Sequence, residues 1–501
     1  FFFALLMSRS LMRSLTGKVC QAHTLRTRSA LLCLSQALPY STTRKTTFSR
    51  SPATGQVIAE HKYLTDSEAA AMVEKSHGAF KGWKGSSFAD RAQVMRNAAA
   101  VLRRRRDEYA ELIANEMGKP IKEGRGEVEK CALVCEYYAE NAAKFLAPEP
   151  VPTQFQDSFV TFQPLGVVLI VMPWNFPFWQ VFRQAACALS AGNTMLLKHA
   201  SNVFGCATAI EGVFQEAGLP DGVFMNLPIS GGQCNAILEH KYTRAVALTG
   251  STPVGKSLGA HAGRLLKKAV LELGGADPYL ILDDADVELA TTACTSGRIL
   301  NCGQSCVGAK RFIVTEAVYD EFIETFTAKM AATKVGDPLS LDTDMGPMVD
   351  PKSRAEVHQQ VQDTVQQGAQ LLLGGQPMGG PEGTAFYPPT ILAGVQKGMR
   401  AYEEEIFGPV ATVIKVKDEA EAIFVANDTP FGLGSAVFTR DEAKGRRIAV
   451  EELEAGLAFV NDFVKSDPRL PFGGAKESGL GRECSHYGIK EFVNIKTVVV
   501  K

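Results

Sequence analysis

The stretch Asn301, Cys302, Gly303, Gln304, Ser305, Cys306 puts a thiol on a glycine-containing turn, and an isolated glutamate, Glu272, stands upstream in Leu271-Glu272-Leu273-Gly274-Gly275. A thiol is the side chain best suited to add to a carbonyl near neutral pH, because a small fraction is already thiolate and a favourable surrounding raises that fraction. A separate carboxylate adds the means to activate water. The pair points to covalent catalysis followed by hydrolysis, with Cys306 as the nucleophile.

A second signal precedes Glu272. Residues 250–257, Gly-Ser-Thr-Pro-Val-Gly-Lys-Ser, satisfy the phosphate-loop pattern, with Gly250, Gly255 and Lys256 at the required spacing. They follow a strand-like run and open a helix-like one, and residues 279–284 imitate the apolar strand ending in aspartate that holds Mg²⁺ in nucleoside triphosphatases. Either way the segment is a helix N-terminus that receives phosphate. Open at this point is whose phosphate it is, a nucleoside triphosphate's or a dinucleotide's.

The elements that must carry these groups alternate in type. Apolar runs of strand length at 167–172, 194–198 and 244–249 are interleaved with helical patterns, and a second series follows Glu272 at 279–282, 311–315, 410–416 and 457–461. Such alternation predicts an α/β fold with doubly wound parallel sheets, whose ligands bind beyond the strand carboxyl ends. Residues 90–117 read as one long amphipathic helix stopped by Gly118 and Pro120, with the arginine run 103–106 as a solvated face. Pro148, Pro150 and Pro152 mark a connector.

At 501 residues, with 46% hydrophobic and 21% charged side chains and 45 glycines, the chain can bury several cores linked by tight turns. Lys+Arg 53 against Asp+Glu 54 leave a net charge of -1, which gives no reason to expect nucleic acid or a membrane as partner. Eleven cysteines without C-x-x-C spacing oppose both a disulfide framework and a zinc site, and no metal is expected. Cys131 and Cys135, four apart in a helical pattern, read as buried structural thiols. The leader differs: Arg9, Arg13, Lys18, Arg26, Arg28, Arg44 and Lys45 lie among serines, and no acid precedes Glu60. Residues 1–45 therefore read as an organelle transit peptide, with the mitochondrial matrix as the expected address, plastid or cytoplasm as alternatives, and Met7 as the start.

Taken together, Pro173-Trp174-Asn175-Phe176-Pro177, the turn from Gly250 to Gly255, Leu271-Glu272-Leu273-Gly274-Gly275, Gly303-Gln304-Ser305-Cys306 and Glu405-Ile406-Phe407-Gly408-Pro409 resemble the ordered motifs of the aldehyde dehydrogenase superfamily, from about residue 46 onward. The resemblance implies a dinucleotide-binding domain (46–147 and 164–274) and a catalytic domain (275–476), each around a doubly wound parallel sheet. It also implies a small β oligomerisation flap (148–163 and 477–501) serving a homodimer or homotetramer. Thiolate Cys306 would attack the aldehyde, the Asn175 amide and the Cys306 backbone N–H would hold the oxyanion, and Glu272 would be the hydrolytic base, moving between resting and working positions.

For the cofactor, the resemblance implies Gly250, Ser251 and Gly255 at the pyrophosphate, Lys198 at the adenosine ribose and Glu405 at the nicotinamide ribose, with Phe407 and Trp174 alongside. No Gly-x-Gly-x-x-Gly follows a strand, so dinucleotide binding rests on the resemblance alone. Ser201 stands where many NAD-specific members carry a glutamate. Losing that carboxylate removes a repulsion against a 2′-phosphate, which Lys198 and Ser201 could then bind, so NADP⁺ is favoured over NAD⁺.

Arg183, eight residues after Asn175, has the offset of the carboxylate-binding arginine in succinate-semialdehyde dehydrogenases, and residues 173–201 resemble the bacterial-type branch of that group. Ser466 matches a serine near that carboxylate. A small semialdehyde is the implied substrate, gripped by the guanidinium while its aldehyde end reaches Cys306. Leu300 departs from members that have a second arginine there, with Lys465 as a candidate substitute. Cys302 is a candidate partner for Cys306 in a reversible disulfide. The alternatives are a CoA-acylating semialdehyde enzyme, against which Glu272 argues; a phosphate-loop NTPase; and a binding protein, which should have lost Cys306 or Glu272.

Overall fold

The computed structural model describes residues 45–501. The leader read as an organelle address, up to residue 44, lies outside the described residues.

Two parallel sheets organise the chain. In spatial order the first runs Gly479–Leu480, Lys268–Glu272, Thr243–Thr249, Val167–Met172, Thr194–His199 and Phe224–Asn226, parallel throughout except at the Gly479–Leu480 edge. Val167–Met172 is an unbroken apolar run because both of its faces are covered. Val168, Ile170 and Met172 enter one core with Met195 and Leu197, while Val167 and Leu169 enter another with Leu196 and Leu248. From this strand the chain builds first to one side and then to the other, so the carboxyl ends of Val167–Met172 and Thr243–Thr249 part at a topological switch point.

The second sheet runs Gln370–Leu373, Thr390–Ala393, Val410–Val416, Arg311–Thr315, Pro278–Ile281, Gly434–Phe438 and Leu457–Val460, antiparallel only at its first pair. Cores on its two faces are built around Leu280, Ile313 and Ile414 on one side, and Tyr279, Phe312 and Val413 on the other. A third, antiparallel sheet joins Val493–Val500, Asp157–Pro164 and Glu149–Pro150. No described helix is long and apolar enough to cross a membrane.

Two expectations need correction. The single helix over 90–117 is two, Phe88–Arg104 and Arg106–Met117, broken at Arg105 (φ -105°, ψ 19°). Val101 and Leu102 on one segment and Tyr109 and Ile113 on the next reach the same core. The arginines flanking the break are solvated and ion-paired, Arg103 with Glu129 and Glu136, Arg105 with Glu108 and Glu216. In addition, the segment 477–501 does not belong wholly to the small sheet. Gly479 and Leu480 pair with Glu272 and Leu271, extending the first sheet, and only Val493–Val500 joins the small one.

Candidate active site

Cys306 lies where two clefts meet. One, of about 1320 Å³, is lined by Trp174, Asn175, Gly250, Ser251, Glu405 and Phe407; the other, of about 910 Å³, by Lys130, Trp179, Arg183, Leu300, Ser466 and Phe472. Cys306 and Gln180 line both.

The nucleophile is presented by an unusual backbone. Asn301, Cys302 and Gly303 all have positive φ (53°, 56° and 69°), a left-handed turn that costs about 1–2 kcal/mol for each residue that carries a Cβ. The surroundings over-determine it. Arg298 donates to the Gly303 carbonyl at 2.6 Å, the Asn301 amide donates to the Asn175 carbonyl at 2.7 Å, and Asn301 N–H reaches Glu123 at 2.9 Å. At Gly303 a Cβ would collide with the Gly408 carbonyl, so two of the sequence motifs are packed backbone on backbone. Lys310, which sequence reasoning missed, closes the loop by donating to the Ser305 and Cys306 carbonyls (2.9 and 2.7 Å) while pairing with Glu405 at 3.0 Å. Burial pushes the Cys306 thiol up to about 12; the Arg183 and Lys310 charges work against that rise, and Asp277 and Glu405 add to it. The resting sulfur therefore holds its proton.

Asn175 follows the Val167–Met172 strand and faces this turn. Its Nδ2 donates to the Gln304 carbonyl at 3.1 Å, and its Oδ1 accepts from Gln180 at 3.0 Å, which fixes the amide with its N–H groups towards the nucleophile loop. The next helix, Trp179–Ser190, is buried on all sides. No residue of its own caps it. Instead Glu127, from the helix Ile121–Phe145, accepts from Phe178 and Trp179 N–H (2.9 and 3.0 Å) and pairs with buried Lys119. That carboxylate anchors the element carrying Gln180 and Arg183, a role no local pattern announces.

Arg183 lines the second cleft as expected, and its guanidinium has a partner within the protein. It is ion-paired with Glu483 and lies over the Phe472 ring, 4.3 Å from the centroid. A charge this deeply buried requires a partner within the protein, and Glu483, itself held by Gln184, supplies it. Arg183 Nη2 has no hydrogen-bond partner among the described residues, which leaves a donor for the expected carboxylate grip. Lys465, the proposed substitute, is half exposed and paired with Asp462 at 2.5 Å. Ser466 does line the cleft, accepting from Lys130 at 2.7 Å and from Trp179 Nε1 at 3.1 Å. Lys130 was missed, although Glu123, Glu127 and Lys130 follow the i, i+4, i+7 spacing of one helix stripe and all line this cleft.

Glu272 ends the Lys268–Glu272 strand with its carboxyl buried against Gly473, outside the lining of both clefts. Burial drives it well above the usual carboxylate range; Glu483 pushes the same way, and Arg183 and Arg482 oppose.

Around the first cleft the chain can hold an elongated dianionic group. The helix Thr252–Arg264 opens at Gly250 and Ser251, its first-turn N–H groups uncapped by the Ser251 side chain, and the buried Thr249 hydroxyl on the same wall has no hydrogen-bond partner among the described residues. Glu405 accepts from Gly275 N–H at 3.2 Å, and Trp174 meets Phe407 edge to face at 5.8 Å. Lys198 and Ser201 do not line this cleft. They sit at the carboxyl end of the neighbouring strand, where Lys198 is in register with Val171. Lys198 forms no ion pair among the described residues, in keeping with a free ammonium at that edge. His199 beside it is structural: its ring bridges the Pro177 carbonyl and Ala200 N–H (both 2.9 Å), and burial pushes it down to about 4.

The phosphate-loop reading fails on geometry. The helix begins at Thr252, so Pro253 to Ser257 are already helical instead of wrapping a phosphate; Gly255 packs on Leu273, and Lys256 points outward to Glu477 at 2.7 Å. The disulfide reading fares no better. Cys302 is buried in the core formed with Leu280 and Ile313, Cys306 packs against the other sheet's core, and burial raises the Cys302 thiol far out of the thiolate range. The left-handed turn sends the two sulfurs to different cores.

Residues 40–498 match the profile of the aldehyde dehydrogenase family. A probable NADP(+) succinate-semialdehyde dehydrogenase of Synechocystis is 47% identical over 448 residues, covering 89% of this chain and 98% of the relative. The NAD(P)+ succinate semialdehyde dehydrogenase of Escherichia coli is 44% identical over 448 residues, covering 89% and 96%. Among solved structures, succinic semialdehyde dehydrogenase from Streptococcus pyogenes in complex with NADP+ superposes with a TM-score of 0.88 at 38% identity, covering 90% of this chain and 99% of that one.

Proposed function

The chain belongs to the aldehyde dehydrogenase family, and from that premise we propose that it oxidises succinate semialdehyde to succinate with NADP⁺ in preference to NAD⁺. The observation that carries this reading is the position of Cys306 at the junction of a cleft that fronts a helix N-terminus and a second cleft whose lining includes Arg183 and Ser466. The names of the relatives support the substrate, and the free Lys198 ammonium beside Ser201 supports the 2′-phosphate.

Ser251 and the first-turn N–H groups of Thr252–Arg264 would hold the pyrophosphate, Glu405 the nicotinamide ribose, and Lys198 with Ser201 the adenosine end. When bound, the nicotinamide supplies the acceptor for the hydride that leaves the substrate carbon. The chain's own groups do the rest. The Cys306 thiol first releases its proton to solvent, the thiolate sulfur then bonds to the aldehyde carbon while the carbonyl π pair moves onto oxygen, and that oxyanion receives hydrogen bonds from Asn175 Nδ2, already aimed at the turn, and from Cys306 N–H. The acyl group left on sulfur is released when water adds to it, the C–S bond breaks and the water proton passes to Glu272, which swings from Gly473 towards the junction.

Initial rates with succinate semialdehyde and a panel of neutral aldehydes, each with NADP⁺ and NAD⁺, test the reading. It requires the highest kcat/KM for the semialdehyde with NADP⁺. A neutral aldehyde preferred throughout, or NAD⁺ preferred, would overturn the corresponding half.

The basic, serine-rich leader without acid before Glu60 supports a mitochondrial matrix address, which fractionation with N-terminal sequencing of the mature protein would check. The antiparallel sheet ending in Val493–Val500, an edge strand with exposed Ile495, Val499 and Val500, supports assembly into dimers or tetramers, to be read by sedimentation.

A further inference from the structure

A third cavity, of about 630 Å³, opens between the helices Phe88–Arg104 and Ile121–Phe145 and the end of Trp179–Ser190, and shares no lining residue with either cleft at Cys306. Its wall is largely apolar, with Phe88, Ala139 and Ala142 on it, yet it carries Arg91, Arg96 and Ser190 and no acidic side chain.

Arg91 is the anomaly. It is 5% exposed, and its guanidinium has no ion pair or hydrogen bond among the described residues, Nε being buried outright. The other deeply buried arginines are committed: Arg183 to Glu483, Arg298 to the Gly303 carbonyl, and Arg311 to the carbonyls of Ala276, Val425 and Ala426. Asp90, the adjacent acid, is held by Ser87. Arg91 Cζ lies 4.5 Å from the Phe88 ring centroid, and a Cβ at Gly192 would meet its Nη1 at 2.7 Å, so the group is seated against the turn that closes Trp179–Ser190. The ring face and the negative end of that helix offset only part of the cost of desolvating a cation, and burial lowers its pKa against the pull of Asp90. Ser190, on the same wall and 2% exposed, also has an Oγ without a hydrogen-bond partner among the described residues. Exposed Arg96 is hydrogen-bonded to Gln93 at 3.1 Å and pairs with no acid among the described residues. Buried donors left open on an apolar cavity make a receptor for an anion with a hydrocarbon body.

We propose that this cavity is a second ligand site, apart from the chemistry, which binds a monocarboxylate with a short apolar chain. The carboxylate accepts hydrogen bonds from the Arg91 guanidinium and Ser190 Oγ, Arg96 adds attraction, and the chain lies along Phe88 and the alanine methyls. A planar guanidinium matches the two oxygens of a carboxylate. A phosphate would ask for further donors, which alanine cannot give. Occupancy of this cavity is independent of which aldehyde the enzyme oxidises.

Thermal unfolding of the full chain with hexanoate, hexanamide or inorganic phosphate tests the site. With hexanoate about tenfold above its Kd, the parent's midpoint should rise by roughly 1–2 °C, and neither hexanamide nor phosphate should match it. Arg91→Met, which removes the unpaired charge and keeps most of the bulk, should fold at least as stably without ligand and should lose the shift. Arg96→Gln, an exposed change, should need several-fold more hexanoate for the same rise. The difference between parent and variant is read, so hexanoate held in the substrate cleft contributes equally to both. No rise in the parent, or equal rises in the parent and Arg91→Met, would overturn the site. A rise of the same size with hexanamide would overturn the part given to the charge, and with phosphate the part given to the apolar wall.

Discussion

The Lys310 ammonium donates to the main-chain carbonyl of Cys306 at 2.7 Å and, from the same nitrogen, pairs with Glu405 at 3.0 Å. One cation thus ties the nucleophile's backbone to the residue assigned to the nicotinamide ribose, and its charge opposes the rise of the thiol. Lys310→Met should slow alkylation of Cys306 by iodoacetamide roughly tenfold at pH 8, moving its pH profile to higher values. KM for NADP⁺ should rise as well, because Glu405 loses its tether. An unshifted alkylation profile would show that the ammonium does not act on the sulfur.

Glu272 is expected to act after the acyl group has formed. Glu272→Gln should lower steady-state kcat by about 10²–10⁴ while an acyl adduct accumulates on Cys306, visible by intact-protein mass. The buried carboxyl, raised well above its ordinary range, can take a proton only when ionised. The parent's kcat should therefore fall as pH drops, and the variant should lack that limb. Unchanged turnover in Glu272→Gln would remove the base assignment.

Arg183 and Glu483 form an ion pair almost without solvent exposure, so deleting one partner strands a buried charge at a cost of roughly 3–5 kcal/mol. Arg183→Met and Glu483→Gln should each lower the denaturation midpoint, and the double variant should be more stable than Arg183→Met alone. Arg183→Met should also raise KM for succinate semialdehyde while a neutral aldehyde is barely affected. Equal losses on both substrates would refute the substrate-gripping role of Arg183.

Glu123, which accepts Asn301 N–H at 2.9 Å, is pushed by burial from 4.5 to about 7, with Lys119 the largest opposing influence. The folded protein then binds more protons than the unfolded chain between pH 4.5 and 7, so this group's contribution to stability declines as pH rises through that window and stays low above it. Glu123→Gln, which keeps an acceptor for Asn301, should gain about 2 kcal/mol relative to the parent at pH 8 and little at pH 4.5. Melting temperatures at the two pH values read the difference. Equal gains at both would rule out the titration as their cause.

Much of this arrangement is legible in the chain because it is local. The strands Val167–Met172, Arg311–Thr315 and Val410–Val416 stand where apolar runs of that length predict them, since a strand covered on both faces needs only continuous hydrophobicity. Cys306, Asn175, Gly250 and Glu405 announce themselves through short motifs whose glycines and prolines fix the backbone within a few residues. Gly303, which must turn left-handed against Gly408, is such a case.

What the sequence could not decide are the distances between side chains remote along the chain. Which partner the buried Arg183 finds depends on Glu483, three hundred residues away, and whether Lys130 faces solvent or a cleft depends on where Trp179 and Ser466 come to rest. The phosphate-loop pattern and the Cys302–Cys306 spacing misled for the same reason: identical local spacing can be wound into a helix or split between two cores. Charge is long-ranged and burial is collective, so the sequence named the reacting groups, and only the packed structure determined which charges neutralise one another and which are left for a ligand.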